Sequence, residues 1–450
     1  MKIDSIKLNH WLNIRKTSLD VLNKMLKDFI NFEIDFGNLD NLNDFAIEKV
    51  AEVLQIPKTK LLKTENVPSY IYNSKEQIEK TRRPITRDGI RFYNYYTLPA
   101  PKGYVAPVLI DILCPKEKLP ALNNGHLEPA ITVSLGPKDI YARFHKKITP
   151  LTFHKFKVNK DKKTDWIVGS SYYEPSYCVH TYSRAENGPG KILSYTTSAN
   201  LENLLKEKLN DDSFKNFVSE IDEKLPYTRQ LLKKDLENKG FDLKAISKKT
   251  KTNFSKLSKF FKDKKCRLSV NEIYKISYLI GSDPGLYIEK KFNEDKIGRN
   301  FLNVKDSIQS IRKFKSYKVA TIAGSSRSTD LSGYFIKVKN LKDKIKFDLN
   351  DSNCSHYLVT KGNLTFHYKN SQGKKIDKLK LKTGDSIWVS SYSIHGFTGD
   401  GALIKISDGQ NFNYLDKLEL TNTYKLKETL IRGKNDKVNW GYDHNTVKAK

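Results

Sequence analysis

The chain has 450 residues, which is too long for one ordinary domain and predicts about two to four domains. Hydrophobic residues make up 38% of it, including 24 Tyr and 22 Phe, so real cores can form and wholesale disorder is excluded. The net charge of +29 taken alone favours a nucleic-acid partner. However, the excess lysine is spread along the whole chain among Asn and Ile, as in an A+T-rich coding sequence, and no nucleic acid is expected.

The expected location is the cytoplasm, with no membrane association. No stretch approaches the roughly 18 apolar residues of a membrane span, and the N-terminus lacks a signal-peptide core. The cysteines have no paired spacing, which is typical of free thiols in a reducing compartment. They are Cys114, Cys178, Cys266 and Cys354.

The N-terminal region, residues 5–65, is predicted to be helical. Ile6–Leu12 is amphipathic at helical spacing, and a helix ending near Pro57 and restarting at Lys58 indicates a helix-turn-helix. Residues 68–200 then change to short alternating runs separated by Pro and Gly, which predicts a β-sandwich or barrel. The candidate strands are Ile90–Leu98, Ala106–Leu113, Ala130–Ser134, Trp166–Val168 and Lys191–Thr197.

The second half repeats this order. Residues 201–295 are predicted to be helical, and the stretch 245–261 resembles the two central helices of phage-repressor-like DNA-binding domains. Residues 305–430 return to strands. The predicted helices are Leu231–Glu237, Leu243–Thr250, Asn253–Phe261 and Val270–Ile280, and the predicted strands are Tyr317–Ile322, Tyr334–Val338, His356–Val359, Leu364–Tyr368, Ser386–Val389 and Ala402–Ile406.

The fold class predicted from this order is α+β, a tandem duplication of a helical, helix-turn-helix-like unit plus a cupin β-barrel. The predicted domains are a helical unit at 1–66, a catalytic barrel at 67–200, a second helical unit at 201–300 and a second barrel at 301–450. The second barrel has the outline of two cupin motifs, with His356, Gly384–Asp385 and His395. A carboxylate is missing where Thr360 and Lys361 stand, so we expect this barrel to be degenerate and metal-free.

A candidate metal site lies in the first predicted barrel, at His126, Glu174 and His180. Two imidazoles and one carboxylate form the facial triad of non-haem Fe(II) oxygenases. A straight strand would separate Glu174 from His180 by roughly 20 Å, far more than two metal bonds can bridge. The chain must therefore turn between them, at Pro175 and Ser176. Taken alone, the three side chains could also be two structural histidines and a solvated glutamate.

Arginine is scarce in the chain, and four arginines cluster just before the first strands. They are Arg82, Arg83, Arg87 and Arg91. The guanidinium fork suits phosphate-like groups, so this cluster indicates an anionic substrate, or else a solvated loop.

Several segments resemble the family of cupin-type iron oxygenases that comprises 2-hydroxyethylphosphonate dioxygenase and the related methylphosphonate synthases. The matching segments are 7–16, 82–98, 123–133, 172–180, 418–423 and 440–443. They span nearly the whole chain in order. The family fold of two helical-plus-cupin repeats agrees with the organisation above.

The resemblance implies a set of site residues. The iron ligands fall on His126, Glu174 and His180. The phosphonate and hydroxyl contacts fall on Arg87, Tyr95, Asn123 and Ser194, Tyr172 lines the pocket, and Lys16 and Lys405 complete it. These donors suit a phosphonate dianion. The expected catalytic residues are Lys16, Tyr95, Tyr172 and Lys405. Fe(II) is the implied cofactor, and 2-oxoglutarate is not needed because the substrate supplies the four electrons.

The family divides by product. Dioxygenases cleave 2-hydroxyethylphosphonate to hydroxymethylphosphonate and formate, whereas synthases give methylphosphonate and bicarbonate. In the synthases a Gln replaces the carboxylate ligand. Here Glu174 is present and residues 127–173 contain no Gln, which favours the dioxygenase.

Two other classes stay open. A cupin regulator would bind DNA through its helical units, but Lys16 of the first unit matches a pocket residue. A different cupin enzyme, such as an isomerase, would use another divalent metal. The expected partners are a small phosphonate and O2, with a homo-oligomer possible.

Overall fold

A computed structural model describes residues 2–31, 39, 42–63, 67–87, 89–118, 121–145, 152–196, 205, 209–289, 294–295, 297–325, 331–339, 345–370, 376–408 and 414–435. The matching segment at 440–443 lies outside these residues. The chain divides into two compact units, Met1–Val67 with Tyr414–Lys450, and Pro68–Asn413. In the described part of the chain, no helix combines the length and the apolar character that crossing a bilayer requires.

Capping side chains precede the first residue of several helices. Asp4 Oδ1 accepts a hydrogen bond from the Ile6 N–H at 2.9 Å, and Asn43 Oδ1 accepts one from the Ala46 N–H at 2.8 Å. The helices are α1 Ser5–Ile14, α2 Leu19–Ile30, α3 Asp44–Leu54, α4 Lys75–Glu79, α5 Asp211–Ser219, α6 Tyr227–Asn238, α7 Leu243–Thr250, α8 Phe254–Phe260, α9 Val270–Ile280, α10 Val304–Gln309, α11 Tyr414–Thr421 and α12 Leu426–Asn435.

The two predicted helix-turn-helix units differ in how well they form. In the second unit, α7 and α9 have the predicted bounds, and their apolar faces join one buried cluster with α6 and α8. In the first unit, the predicted helix restart at Lys58 is only the short 3-10 turn Lys58–Lys60, after Gln55 has left the helix with a φ of 53°.

The strands form two barrels within the unit Pro68–Asn413. They are β1 Tyr70–Asn73, β2 Arg83–Arg87, β3 Ile90–Thr97, β4 Val108–Ile112, β5 Ala130–Pro137, β6 Ile140–His145, β7 Thr152–Phe156, β8 Ser171–Glu174, β9 Val179–Arg184, β10 Gly190–Thr196, β11 Asn300–Leu302, β12 Arg312–Lys313, β13 Tyr317–Thr321, β14 Ser332–Val338, β15 Cys354–Lys369, β16 Ile376–Lys382, β17 Ser386–Val389 and β18 His395–Asp408.

The first barrel consists of a 7-stranded sheet in the order β11-β8-β5-β10-β4-β3-β2 and a 3-stranded sheet in the order β7-β6-β9. Its interior is filled by side chains that include Ile110, Phe144, Phe156, Tyr172 and Ile192. The predicted strand Trp166–Val168 does not form. Those residues make a turn before β8, where Trp166 and Ile167 still pack as core residues.

The second barrel is an 8-stranded sheet in the order β1-β17-β15-β18-β14-β13-β12, with β16 paired to β15. Both predicted strands His356–Val359 and Leu364–Tyr368 belong to the long strand β15, which has a register shift between Val359 and Lys361. The duplicated helical-plus-cupin order predicted from the sequence is confirmed.

Each barrel contains a strand from the part of the chain that precedes the other barrel. β1, which precedes the first barrel, pairs with β17, and β11, which precedes the second barrel, pairs with β8. A continuous apolar layer also joins the outer faces of the two barrels, with Ile131, Val133 and Tyr173 on one side and Phe335 and Ile404 on the other. The sheets thus cross the predicted domain boundaries, which themselves stay a prediction.

Candidate metal and substrate site

The three predicted metal ligands come together at one end of the first barrel. Glu174 is the last residue of β8, and His180 lies in β9 after a turn at residues 175–178. The predicted turn between Glu174 and His180 is therefore present. Because β8 and β9 belong to different sheets, this turn is a corner of the barrel rather than a hairpin.

Backbone contacts bring His126 to this corner from a separate loop. The Tyr177 N–H donates to the His126 carbonyl at 2.6 Å, and the Asn123 N–H donates to the His180 carbonyl at 3.0 Å. Gly125 makes the close approach possible, because a Cβ there would lie 2.7 Å from the Tyr177 carbonyl carbon. Its φ of +72° also favours glycine.

Neighbouring carbonyl groups fix the tautomers of both histidines. His126 Nδ1 contacts the Glu128 carbonyl oxygen, and His180 Nδ1 contacts the Cys178 carbonyl oxygen at 2.8 Å. Since a carbonyl only accepts, both Nδ1 atoms carry the proton. The Nε2 lone pairs are thereby directed to the site, as in metal-binding histidines held by a backbone carbonyl.

The geometry fits a divalent metal. One ligating atom from each of His126, Glu174 and His180 lies within 4.8 Å of the others. His126 Nε2 is 3.1 Å from Glu174 Oε1, so two lone-pair donors face each other and need a cation between them. The Glu174 side chain is 2% exposed, and its Oε2 atom is buried with no hydrogen-bond partner among the described residues. A buried carboxylate oxygen without a partner is costly unless a metal ion or proton occupies the site.

Two features of the site set its charge and polarity. The hydrogen bond that the Glu174 carboxylate accepts from the His126 ring raises the pKa of His126, against the effect of burial. Asn123 Nδ2 lies 3.1 Å from His180 Nε2, and its Oδ1 accepts from the Gly125 N–H at 2.9 Å. Asn123 therefore bridges the two ligand segments, and a metal ion at Nε2 would take the place of its amide hydrogen.

Three more predicted residues lie on the inner face of the barrel, next to the triad. Tyr172 pairs across strands with Thr132, and Thr132 pairs with Ser194, so all three share the face that carries Glu174. Thr132 Oγ1 donates to Ser194 Oγ at 3.2 Å. Tyr95 packs against the same interior cluster from β3.

The predicted cationic residues are distributed differently. Arg87 ends β2 and is exposed, and its charge acts on Tyr95, whose pKa burial raises and Arg87 lowers. Lys16 follows α1 in the other compact unit, and its role toward the phosphonate stays a prediction. The role of Lys405 toward the phosphonate also stays a prediction. Its ammonium is paired with Asp351, and Lys405 lies opposite Tyr357 of the second-barrel interior.

Sequence reasoning assigned no role to Tyr182, which lies behind the ligands together with Tyr172. The hydroxyls of Tyr172 and Tyr182 are in hydrogen-bond contact, and the Tyr93 hydroxyl donates to the Tyr182 carbonyl at 2.9 Å. Burial raises the pKa of Tyr182 far above its ordinary value, so this phenol stays protonated. Burial and the Glu174 carboxylate raise the pKa of the Cys178 thiol to about 12, so this thiol also keeps its proton. The sequence signal that could have found these residues is the cluster of aromatic side chains around Tyr172–His180.

Comparison with known proteins identifies the family. Residues 79–197 match the family described as 2-hydroxyethylphosphonate dioxygenase cupin-like domain. Over 451 aligned residues, the chain is 35% identical to the 2-hydroxyethylphosphonate dioxygenase of Streptomyces viridochromogenes, covering 99% of this chain and 100% of that protein.

Solved structures agree with this assignment. A structure described as PhpD with cadmium, complexed with hydroethylphosphonate, is 34% identical with a TM-score of 0.80, covering 96% of this chain and 100% of the other. The Streptomyces albus enzyme HEPD, described with 2-hydroxyethylphosphonate and Fe(II) bound, shares the fold at 12% identity, with a TM-score of 0.77 over 93% of this chain and 95% of that one. On its full-length similarity to the Streptomyces viridochromogenes enzyme, this chain belongs to the 2-hydroxyethylphosphonate dioxygenase family.

Proposed function

We propose that this protein is an Fe(II)-dependent dioxygenase that cleaves the carbon–carbon bond of 2-hydroxyethylphosphonate. The observation that carries the proposal is the cluster of His126, Glu174 and His180, in which Glu174 Oε2 is buried without a hydrogen-bond partner among the described residues. The substrate and iron described for the family relatives support it.

His126, Glu174 and His180 would hold the metal through three ligand atoms. Two neutral imidazoles and one carboxylate match the ligand set of non-haem iron oxygenases. Bound Fe(II) supplies a centre at which O2 and the substrate can meet. Only His126 is substantially exposed among the three, with 34% of its side chain accessible against 2% for Glu174 and 9% for His180, so substrate enters on the His126 side.

Substrate recognition is assigned to donors around this opening. Arg87, Asn123, Tyr95 and Ser194 offer a guanidinium, an amide and two hydroxyls, which are the groups a phosphonate dianion and an alcohol require. Burial raises the pKa of Tyr95, so its phenol stays protonated as a donor near neutral pH. The barrel interior around Tyr172 excludes bulk water from the reacting carbons.

The proposed products are hydroxymethylphosphonate and formate. One 2-hydroxyethylphosphonate and one O2 give one hydroxymethylphosphonate, one formate and one proton, so the four electrons come from the substrate alone. The anionic ligand Glu174 favours this outcome over methylphosphonate. We infer that Tyr172 and its partner Tyr182 restrict the rotation of the fragments after the carbon–carbon bond breaks, because the two hydroxyls are held together inside the barrel.

The four cysteines support a reducing, cytoplasmic location for this chemistry. Cys114, Cys178, Cys266 and Cys354 are all free thiols, and three of them are buried. An oxidising compartment would select against such unpaired thiols.

The test is 31P NMR of the purified protein with Fe(II), O2 and 2-hydroxyethylphosphonate, together with formate quantification. We expect hydroxymethylphosphonate and formate in equal amounts, with one O2 consumed per turnover. Methylphosphonate as the main product would overturn the product assignment, and an unchanged substrate signal with metal-loaded protein would overturn the proposed activity.

A further inference from the structure

A buried arginine from the second half of the chain lies behind the candidate metal site. Arg299, just before β11, has 2% of its surface exposed. Its Nε donates to Asp295 Oδ2 at 2.7 Å, and its Nη2 contacts His154 Nε2. The guanidinium lies 4.3 Å from the centre of the Phe144 ring.

The segment that carries Arg299 contacts both ligand-bearing strands. Phe144 pairs across strands with His180, and its ring lies edge-on to that of Tyr172 at 4.8 Å. In β11, Phe301 pairs with Tyr172, two residues before Glu174. The corner itself is touched as well, since a Cβ at Gly298 would lie 3.2 Å from Pro175.

A second buried arginine shows what a purely structural guanidinium looks like in this chain. Arg229 has 0% exposure and also lies 4.3 Å from a ring, that of Phe260. Its Nε is paired with Glu289, its Nη1 donates to the Phe260 and Asp263 carbonyls at 2.9 Å, and its Nη2 donates to Lys264.

Arg299 differs from Arg229 in one respect. Its Nη1 is buried without a hydrogen-bond partner among the described residues. A buried charged donor without a partner costs folding free energy, so a different requirement must retain it at this position.

We propose that Arg299 is a positioning residue for the metal site, which holds the Glu174–His180 corner in its ligating geometry through Phe144 and β11. The segment around Arg299 would thus make metal binding in the first barrel depend on the second half of the chain. This inference rests on the proposed function only in taking His126, Glu174 and His180 as metal ligands. Groups that orient metal ligands typically change metal affinity by about tenfold to hundredfold.

The experiment compares Arg299→Met with Arg229→Met in the full chain, by titration with Co(II) and by the visible absorption spectrum of the Co(II) complex. We expect Arg299→Met to weaken Co(II) binding about tenfold to hundredfold and to shift the spectrum. Arg229→Met removes an equally buried, ring-stacked guanidinium, so it should lower the melting temperature while leaving Co(II) affinity and spectrum unchanged. Arg299→Lys keeps the charge but not the planar stacking and should fall between wild type and Arg299→Met.

Equal Co(II) affinity and spectrum in wild type and Arg299→Met would overturn the proposal, as would an equal loss in Arg229→Met. If Arg299→Met does not fold, Asp295→Asn decides, because it leaves Arg299 in place without its carboxylate partner and should still weaken Co(II) binding. An unchanged affinity in that variant then counts against the proposal. These readouts need no substrate, so an inactive wild type that binds Co(II) would refute the proposed reaction and leave the role of Arg299 measurable.

Discussion

The two barrels share a fold but use their buried histidines in different ways. In the first, His126 and His180 give their Nδ1 protons to carbonyls, and Nε2 is left to face the site. In the second, His395 also has Nδ1 against a carbonyl, that of Ser393, but its Nε2 is bound by the Tyr357 hydroxyl at 2.8 Å. The Nε2 atoms of His126 and His180 instead lie 3.1 Å from the Glu174 carboxylate and from the Asn123 amide of the same cluster, where a bound metal ion would replace these contacts.

The acidic groups show the same contrast. Among the described residues, Glu174 Oε2 has no hydrogen-bond partner, whereas Asp351 in the second barrel is bound by the Lys405 ammonium and by the Ser407 hydroxyl at 3.2 Å. The outline of cupin motifs in the second barrel also does not converge. Tyr357 belongs to the barrel interior, so its neighbour His356 faces the opposite way, where its ring lies 5.0 Å from that of Tyr195 of the first barrel. In the described part of the chain, only the first barrel therefore brings two imidazoles and a carboxylate together, and a metal-free second barrel stays a prediction.

The strongest test of this contrast replaces a metal ligand of the first barrel and a buried histidine of the second barrel. Glu174→Ala and His180→Ala should lose nearly all bound iron and all turnover, because two remaining ligands hold Fe(II) poorly. His395→Ala should keep a full equivalent of iron. Metal analysis of the purified variants measures this, and a full equivalent in both first-barrel variants would show that the site lies elsewhere.

A smaller change at the same site tests the backbone approach that brings in His126. Gly125→Ala places a Cβ against the Tyr177 backbone at a positive φ, so we expect metal affinity to fall about tenfold or more. Gly103→Ala is the matched control, because Gly103 has a φ of +82° but no atom within 4 Å of its Cβ position. Equal metal affinity in the two variants would mean that strain, and not the close approach, is all that Gly125 relieves.

Kinetics can separate the cations of the two barrels. Loss of a charge-assisted hydrogen bond costs about 1.5–3 kcal/mol, so Arg87→Met should raise KM for 2-hydroxyethylphosphonate about tenfold to hundredfold. Lys405→Met should lower the melting temperature, because its ammonium is engaged by Asp351. A raised KM in the same variant would show that Lys405 also contacts the phosphonate, as the resemblance implies, and an unchanged KM would show that it does not.

The last difference concerns stability in acid. Burial lowers the pKa of His395 from 6.5 to about 4. Between these two pH values, His395 is therefore protonated in the unfolded chain and neutral in the folded barrel. Its contribution to stability is present above pH 6.5 and is lost as the pH falls toward 4, by about 3 kcal/mol. Urea unfolding of wild type and His395→Phe at pH 7 and pH 4.5 should show a weaker pH dependence in the variant. Parallel behaviour would mean that His395 is not protonated on unfolding.

Local sequence determined much of this protein. Apolar periodicity predicted the bounds of α7 and α9, because the buried positions of an amphipathic helix recur every three to four residues. The six-residue separation of Glu174 and His180, with Pro175 between them, required a turn, and the structure has one. The pattern of two imidazoles and a carboxylate predicted His126, and the resemblance supplied the family, which similarity over the full chain confirms.

Tertiary structure alone decided which polar groups meet. The sequence does not reveal that β1 and β11 are exchanged between the barrels, because strand pairing depends on contacts between residues hundreds of positions apart. For the same reason the sequence did not reveal that Lys405 pairs with Asp351, and Arg299 carried no local signal although it lies behind Glu174 and His180. Hydrogen-bond partners are set by three-dimensional proximity, and this decides which polar side chains meet around a metal site.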